Sequence, residues 1–142
     1  MKTHILFFAS LFLSFLSNAQ TPDTIKTKSG LKYIQLVKGT GELPTNGQKV
    51  KVYYHKGMFL NGKEFDKEVK MRIIRFTLGN QEVIPGWDEG FKLMRKGEKG
   101  ILIIPAKLAY GHNGVLEPDE ENIYRIPPDT DLIFEVELLD FK

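Results

Sequence analysis

One stretch carries most of what could do chemistry: Leu78 to Gly90, LGNQEVIPGWDEG, which holds the only tryptophan of the chain, Trp87. Glu82, Val83 and Ile84 stand just before Pro85, in a loop whose backbone N–H groups can point into a cavity floored by the indole. Such an arrangement binds and orients; it does not attack. The residues needed for covalent, metal or phosphate chemistry are not assembled anywhere: the chain has no cysteine, its three histidines are scattered with His4 near the N-terminus, and it has no glycine-rich phosphate loop. No cofactor and no metal is expected. Taken alone, Trp87 reads as a core tryptophan, and the neighbouring loop supplies the sharper reading.

The elements that must position this stretch follow from spacing. Pro85 suits the first helical position and Asp88 and Glu89 fall in the first turn, at the positive end of the helix dipole. Trp87, Phe91 and Met94 recur at i, i+4 and i+7, while Lys92, Arg95 and Lys96 crowd the far end and Gly97 is placed to cap it. A helix of about three turns cannot stand alone in water, so its Trp87 face must pack on something larger, and a sheet is expected. Candidate strands surround it. Lys32 to Lys38 alternates, with Ile34 and Leu36 on one side. In Lys49 to Met58, Val50, Val52 and Tyr54 share a face and Lys49, Lys51, Tyr53 and His55 share the other. Asn61-Gly62 signals a hairpin turn that delivers Phe65 and Asp66 together; unaided, these two read as a core ring and a turn carboxylate. Ile73 to Leu78 and the apolar run Ile101 to Ile104 are further strands, the second central and covered by the helix. Leu108 to Gly111 reads as a turn that frees Tyr110 to aim its hydroxyl back over the cavity, and Leu132, Phe134, Val136 and Leu138 alternate as a last strand.

Length and composition set the frame. With 142 residues, 42% hydrophobic and 27% charged, the chain has room for one globular domain, and a formal charge of +2 is too small and dispersed for a nucleic-acid or anionic-membrane partner. Residues 1–19 read as a cleaved signal peptide: Lys2, an apolar run from Ile5 to Leu16, then Ser17-Asn18-Ala19. The competing reading, a membrane anchor, would need about 20 apolar residues, and this run is shorter and broken by Ser10 and Ser14. Residues 20–29, polar and without period, read as a flexible tether, and residues 30–142 as the folded domain. Glu68 to Arg72 is charged and expected on the surface. His112 to Arg125, with Glu117, Asp119, Glu120 and Glu121, admits three readings: a solvated acidic loop, a weak calcium site, or a flap facing the ligand.

LGNQEVIPGWDEG, with NGKEFD at Asn61 to Asp66, AYG at Ala109 to Gly111 and IPPDTDLIFEVELL at Ile126 to Leu139, resembles the FK506-binding-protein family of peptidyl-prolyl isomerases. Four motifs stand in the family's order, from about Gly30 to the C-terminus. The resemblance implies an α+β fold, a twisted antiparallel sheet of five to six strands wrapped around one short helix. It implies Trp87 as a floor under a proline ring, Tyr54, Phe65, Val83, Ile84 and Phe134 as walls, and Ile74, Glu82 and Ile126 as further substrate contacts. The Ile84 N–H and the Tyr110 hydroxyl would hold peptide carbonyls, and Asp66 would orient the bound chain; Asp66, Tyr110, Phe65 and Trp87 are the implied catalytic set. Partners implied are proline-containing polypeptides and FK506-like macrolides; the leader makes an exported, periplasmic or secreted protein the expectation, a monomer with no membrane insertion after cleavage, and the small charge leaves no nucleic-acid partner expected. An alternative within the same fold is a catalytically weak binding module working through the pocket and acidic loop. The family's pocket tyrosine is followed by one residue and then a glycine, whereas Tyr54-His55-Lys56-Gly57 has one residue more. An ungapped alignment puts His55 in the pocket; a one-residue bulge puts Tyr54 there, and the face shared with Val50 and Val52 favours the bulge. Ile74 stands where the family often carries an aromatic ring.

Overall fold

The computed structural model describes residues 23–66 and 72–142. The expected leader over 1–19 and most of the charged segment expected on the surface lie outside the described residues. A six-stranded antiparallel sheet runs in the order β1-β2-β5-β8-β3-β4, where β1 is Thr24–Lys26, β2 Lys32–Val37, β3 Lys49–Phe59, β4 Ile73–Thr77, β5 Lys99–Ile104 and β8 Leu132–Phe141. One short helix, α1 (Pro85–Gly90), packs on it, and β6 (Val115–Leu116) pairs with β7 (Tyr124–Ile126) as a separate two-stranded hairpin. This is the α+β arrangement the motifs imply.

The inner face of the sheet follows period 2. Leu102 and Ile104 of β5, Val50, Val52 and Tyr54 of β3, and Leu132, Phe134, Val136 and Leu138 of β8 are all buried. The helix reaches this face through two glycines. A Cβ on Gly86 would lie 2.4 Å from Ile104 and one on Gly90 2.6 Å from Leu102, so only bare backbone can approach β5 this closely. Trp87 and Phe91 fill the space on either side, with ring centroids 5.4 Å apart, and Phe91 meets Phe76 of β4 at 5.7 Å.

Three features differ from the sequence expectation. The helix is shorter than three turns: after Gly90 the chain tightens into a 3-10 turn over Phe91–Leu93, and Met94 is already extended, although fully buried. The backbone beyond it is claimed by strands, since the Thr40 N–H donates to Lys96 O at 2.9 Å and the Gly97 N–H to Leu138 O at 2.7 Å; Gly97 therefore serves the turn into β5 and does not cap the helix. The tether expected over 20–29 is structured in its described part, because Thr24, Ile25 and Lys26 pair with Ile34, Tyr33 and Lys32 and form an edge of the sheet. In β2, Ile34 and Leu36 do share a side, but it is the outer one. Tyr33 takes the core position, its hydroxyl donating to Glu98, which is itself buried and accepts the Arg95 N–H at 3.1 Å. Burial, reinforced by that carboxylate, pushes the Tyr33 hydroxyl pKa up, so it remains a donor.

Candidate active site

The site begins with an irregularity in β3. The register of β3 on β8 slips between Tyr54 and Lys56, which shifts the inward positions from even to odd: Val50, Val52 and Tyr54 are buried before the slip and Gly57 after it. Tyr54 thus faces the core with only 5% of its surface exposed. His55 turns to the other face, where its Nε2 is 3.4 Å from Glu137. Of the two alignments left open by the sequence, the bulged one describes the structure. Gly57 then leaves a vacancy that two rings occupy, for a Cβ there would lie 2.3 Å from the Tyr54 hydroxyl and 2.5 Å from Phe65.

Around these residues lies a cavity of about 900 Å³. Trp87, Tyr54 and Phe134 converge on it from α1, β3 and β8, with the indole 5.8 Å from the Tyr54 ring and 5.6 Å from the Phe134 ring. Phe65 meets Phe134 edge-on at 5.8 Å. Ile74 of β4, Glu82, Val83 and Ile84 of the loop before α1, and Ile126 of β7 complete the apolar wall and lip. The hairpin at Asn61-Gly62 sets Phe65 and Asp66: the Lys63 N–H donates to Asn61 Oδ1 at 2.9 Å and the Phe65 N–H returns to Gly57 O at 3.2 Å. Tyr110 is set by a turn closed at three points. The Gly111 N–H donates to Ala106 O at 2.8 Å, the Ala106 N–H to Asp131 Oδ1 at 2.8 Å, and the Asp129 N–H to Gly111 O at 2.8 Å.

Charged and hydroxyl groups share the lining with the aromatic rings. Asp66 Oδ1 accepts the Gly57 N–H at 3.1 Å, while Oδ2 is buried without a hydrogen-bond partner among the described residues, as is Trp87 Nε1. Burial first, and the Asp66 carboxylate second, push the Tyr54 hydroxyl pKa up; burial does the same for Tyr110, against the Arg125 charge. Both phenols therefore stay protonated at neutral pH and can donate.

All eleven residues named from sequence, Tyr54, Phe65, Asp66, Ile74, Glu82, Val83, Ile84, Trp87, Tyr110, Ile126 and Phe134, line this one cavity. Four others do so too: Glu64, Val115, Glu117 and Arg125. Glu64 and Arg125 adjoin Phe65 and Ile126 in sequence, which was the available signal. Val115 and Glu117 belong to the β6–β7 hairpin, where the Glu117 N–H donates to Ile123 O at 2.8 Å. The loop read three ways from sequence is thus a hairpin whose base reaches the cavity, while Pro118 to Asn122 at its tip are exposed. Among the described residues no group of three or more metal-ligating side chains gathers there or elsewhere.

An antiparallel sheet wrapped on a short helix, with an aromatic cavity at the helix start, is the arrangement that the four sequence motifs imply. The family described as FKBP-type peptidyl-prolyl cis-trans isomerase matches residues 40–139, and the chain belongs to it. The chain is 45% identical over 120 residues to the FKBP-type peptidyl-prolyl cis-trans isomerase FkpA of Escherichia coli K12, covering 83% of this chain and 40% of that protein. It is 44% identical over 119 residues to FK506-binding protein 4 of Dictyostelium discoideum, covering 84% and 30%. The crystal structure of Escherichia coli FkpA superposes with a TM-score of 0.70 at 41% identity, covering 87% of this chain and 54% of that one. A peptidyl-prolyl cis-trans isomerase from Pseudomonas syringae pv. tomato superposes with a TM-score of 0.68 at 32% identity, covering 87% and 84%. The chain spans less than half the length of these two curated relatives.

Proposed function

We propose that the protein is a peptidyl-prolyl cis-trans isomerase that accelerates rotation about X-Pro bonds. The observation that carries this reading is the aromatic pit of Trp87, Tyr54, Phe65 and Phe134, lined also by the Tyr110 phenol and the Val83-Ile84 loop. Rotation breaks no bond, so no nucleophile or metal is needed. Its barrier is about 18–20 kcal/mol because amide resonance must be given up. Resonance places charge on the carbonyl oxygen, and the twisted amide has less of it. A water-poor aromatic site therefore disfavours the planar amide relative to the twisted one. The Ile84 N–H and the Tyr110 hydroxyl hold peptide carbonyls on either side, and Asp66 fixes the polar side of the chain; no proton has to move. A thousandfold acceleration requires about 4 kcal/mol, within reach of one buried ring and two aligned hydrogen bonds.

The substrates in this reading are proline-containing segments of other exported chains, met by a monomer released after leader cleavage, and an FK506-like macrolide competes for the same pit. The test is the cis-to-trans rate of short X-Pro peptides with the mature protein, Asp66→Ala and Tyr110→Phe. Wild type should accelerate the exchange, and each folded variant should lose about tenfold, the worth of one well-placed hydrogen bond. A second reading, a binding module with weak catalysis, draws on the β6–β7 hairpin and Glu117 over the cavity. It predicts peptide binding without acceleration in folded wild type.

A further inference from the structure

Asp88 sits behind the cavity wall, in the first turn of α1, with 8% of its surface exposed. Its Oδ1 accepts the Gly79 N–H at 2.8 Å and its Oδ2 the Gln81 N–H at 3.3 Å. Both partners are in left-handed backbone, Gly79 at φ +78° and Gln81 at φ +58°, the second uncommon for a residue with a side chain. Residues 79–82 are exposed, so packing does little to hold them. Their other side-chain anchor is Glu82, whose Oε2 accepts the Thr77 N–H at 3.2 Å at the surface. The three residues that follow Gln81 are the lip of the cavity.

We propose that Asp88 is a positioning residue of the site: by accepting the Gly79 and Gln81 N–H groups from within the core, it fixes the Glu82–Ile84 lip against Trp87. The proposal rests on the reading of the cavity as an X-Pro site. The helix presents adjacent residues in two directions, Trp87 to the cavity and Asp88 to the loop, so floor and lip are tied to one rigid turn. The chemistry requires a carboxylate. Two N–H donors meet two acceptor oxygens, and a buried negative charge is tolerable because both oxygens are hydrogen-bonded. An amide of the same shape would turn a donor against one of the two N–H groups. Glu89, the next residue, has a different task, its Oε1 and Oε2 accepting the Ser29 hydroxyl at 2.9 and 2.8 Å, and serves as the control.

The experiment compares wild type, Asp88→Asn and Glu89→Gln for kcat and KM on a short X-Pro peptide, together with amide hydrogen exchange at Gly79 and Gln81. Asp88→Asn should lose about tenfold in kcat/KM, the worth of one misaligned anchor, chiefly through a raised KM. Its Gly79 and Gln81 amides should exchange faster, and Glu89→Gln should keep wild-type kinetics. Wild-type kinetics in folded Asp88→Asn would overturn the proposal, as would an equal loss in Glu89→Gln. If Asp88→Asn does not fold, the wild-type amides decide: protection at Gly79 and Gln81 supports the anchor, and exchange at the rate of an open chain removes it. A wild type that leaves every X-Pro peptide unaccelerated removes the isomerase reading instead, while the exchange data still decide whether Asp88 holds the loop.

Discussion

Trp87 joins packing to function in a single side chain. Its ring is within stacking distance of Tyr54, Phe76, Phe91 and Phe134, so the surface offered to a ligand is the outer side of the same aromatic cluster that holds the helix to the sheet. Removing it opens a cavity that four rigid rings cannot collapse into. Trp87→Ala should therefore cost about 3–5 kcal/mol. That corresponds to a fall in Tm of about 10 °C or more for a domain of this size, read by thermal denaturation. Peptide turnover should be lost at temperatures where the variant is still folded. An unchanged Tm would show that the indole is not an integral part of the core. Tyr110 belongs to a different case: it is 40% exposed, so Tyr110→Phe should reduce rate with little effect on Tm.

At the scale of elements, the β6–β7 hairpin is the part most exposed to small changes. Gly114 leads into β6 at φ +62°, and a Cβ there would lie 2.5 Å from Ile126 O and 2.8 Å from Pro128 N, both backbone atoms with nowhere to move. Gly114→Ala should push the hairpin base away from the cavity. It should cost more than about 1 kcal/mol, because alanine is strained at that φ in addition to the contact. The expected readings are a Tm lower by several degrees and a higher KM for X-Pro peptides; wild-type values for both would show that the hairpin base does not form the cavity wall. The elements also show what can be read from sequence. Strands β3 and β8 were legible because their apolar residues alternate, β3 up to Tyr54, and β5 because Ile101 to Ile104 form a continuous apolar run; so was the helix start, because Pro85 and the acidic first turn mark it locally. The helix end was not, because hydrogen bonds from Thr40 and to Leu138 decide where the backbone leaves the helix, and neither residue is near it in sequence. Strand β1 was missed because a three-residue edge strand with exposed side chains has no periodic signal, only the pairing that β2 supplies. The bulge at Tyr54 was legible as one residue too many. The role of Val115 and Glu117 was not, since a two-residue strand carries no period of its own.

Across the whole molecule, the sheet is fastened on its outer face by charges on its central strand. Glu135 of β8 lies between the two neighbouring strands, 2.7 Å from the Lys99 ammonium of β5 and 3.3 Å from that of Lys56 of β3, and 17% of its side chain is exposed. The hydrogen bond from Lys99, aided by Lys56, holds its pKa below the usual glutamate value despite some burial. The sign of the pH effect follows. A carboxylate whose pKa is lowered by folding adds stability above its unfolded pKa, and that stability is lost as the pH falls through the lower, folded value. Glu135→Gln should thus be less stable than wild type at neutral pH, and the gap in Tm should close on acidification past the ordinary carboxylate range. The Lys96–Asp140 pair, whose carboxylate pKa is lowered by Lys96, is present in both proteins and cancels in the difference. Added salt should narrow the gap only in part, because a pair this sheltered is screened less than a surface pair. A gap in Tm that stays constant from neutral to strongly acidic pH would show that Glu135 contributes shape to the sheet and not charge.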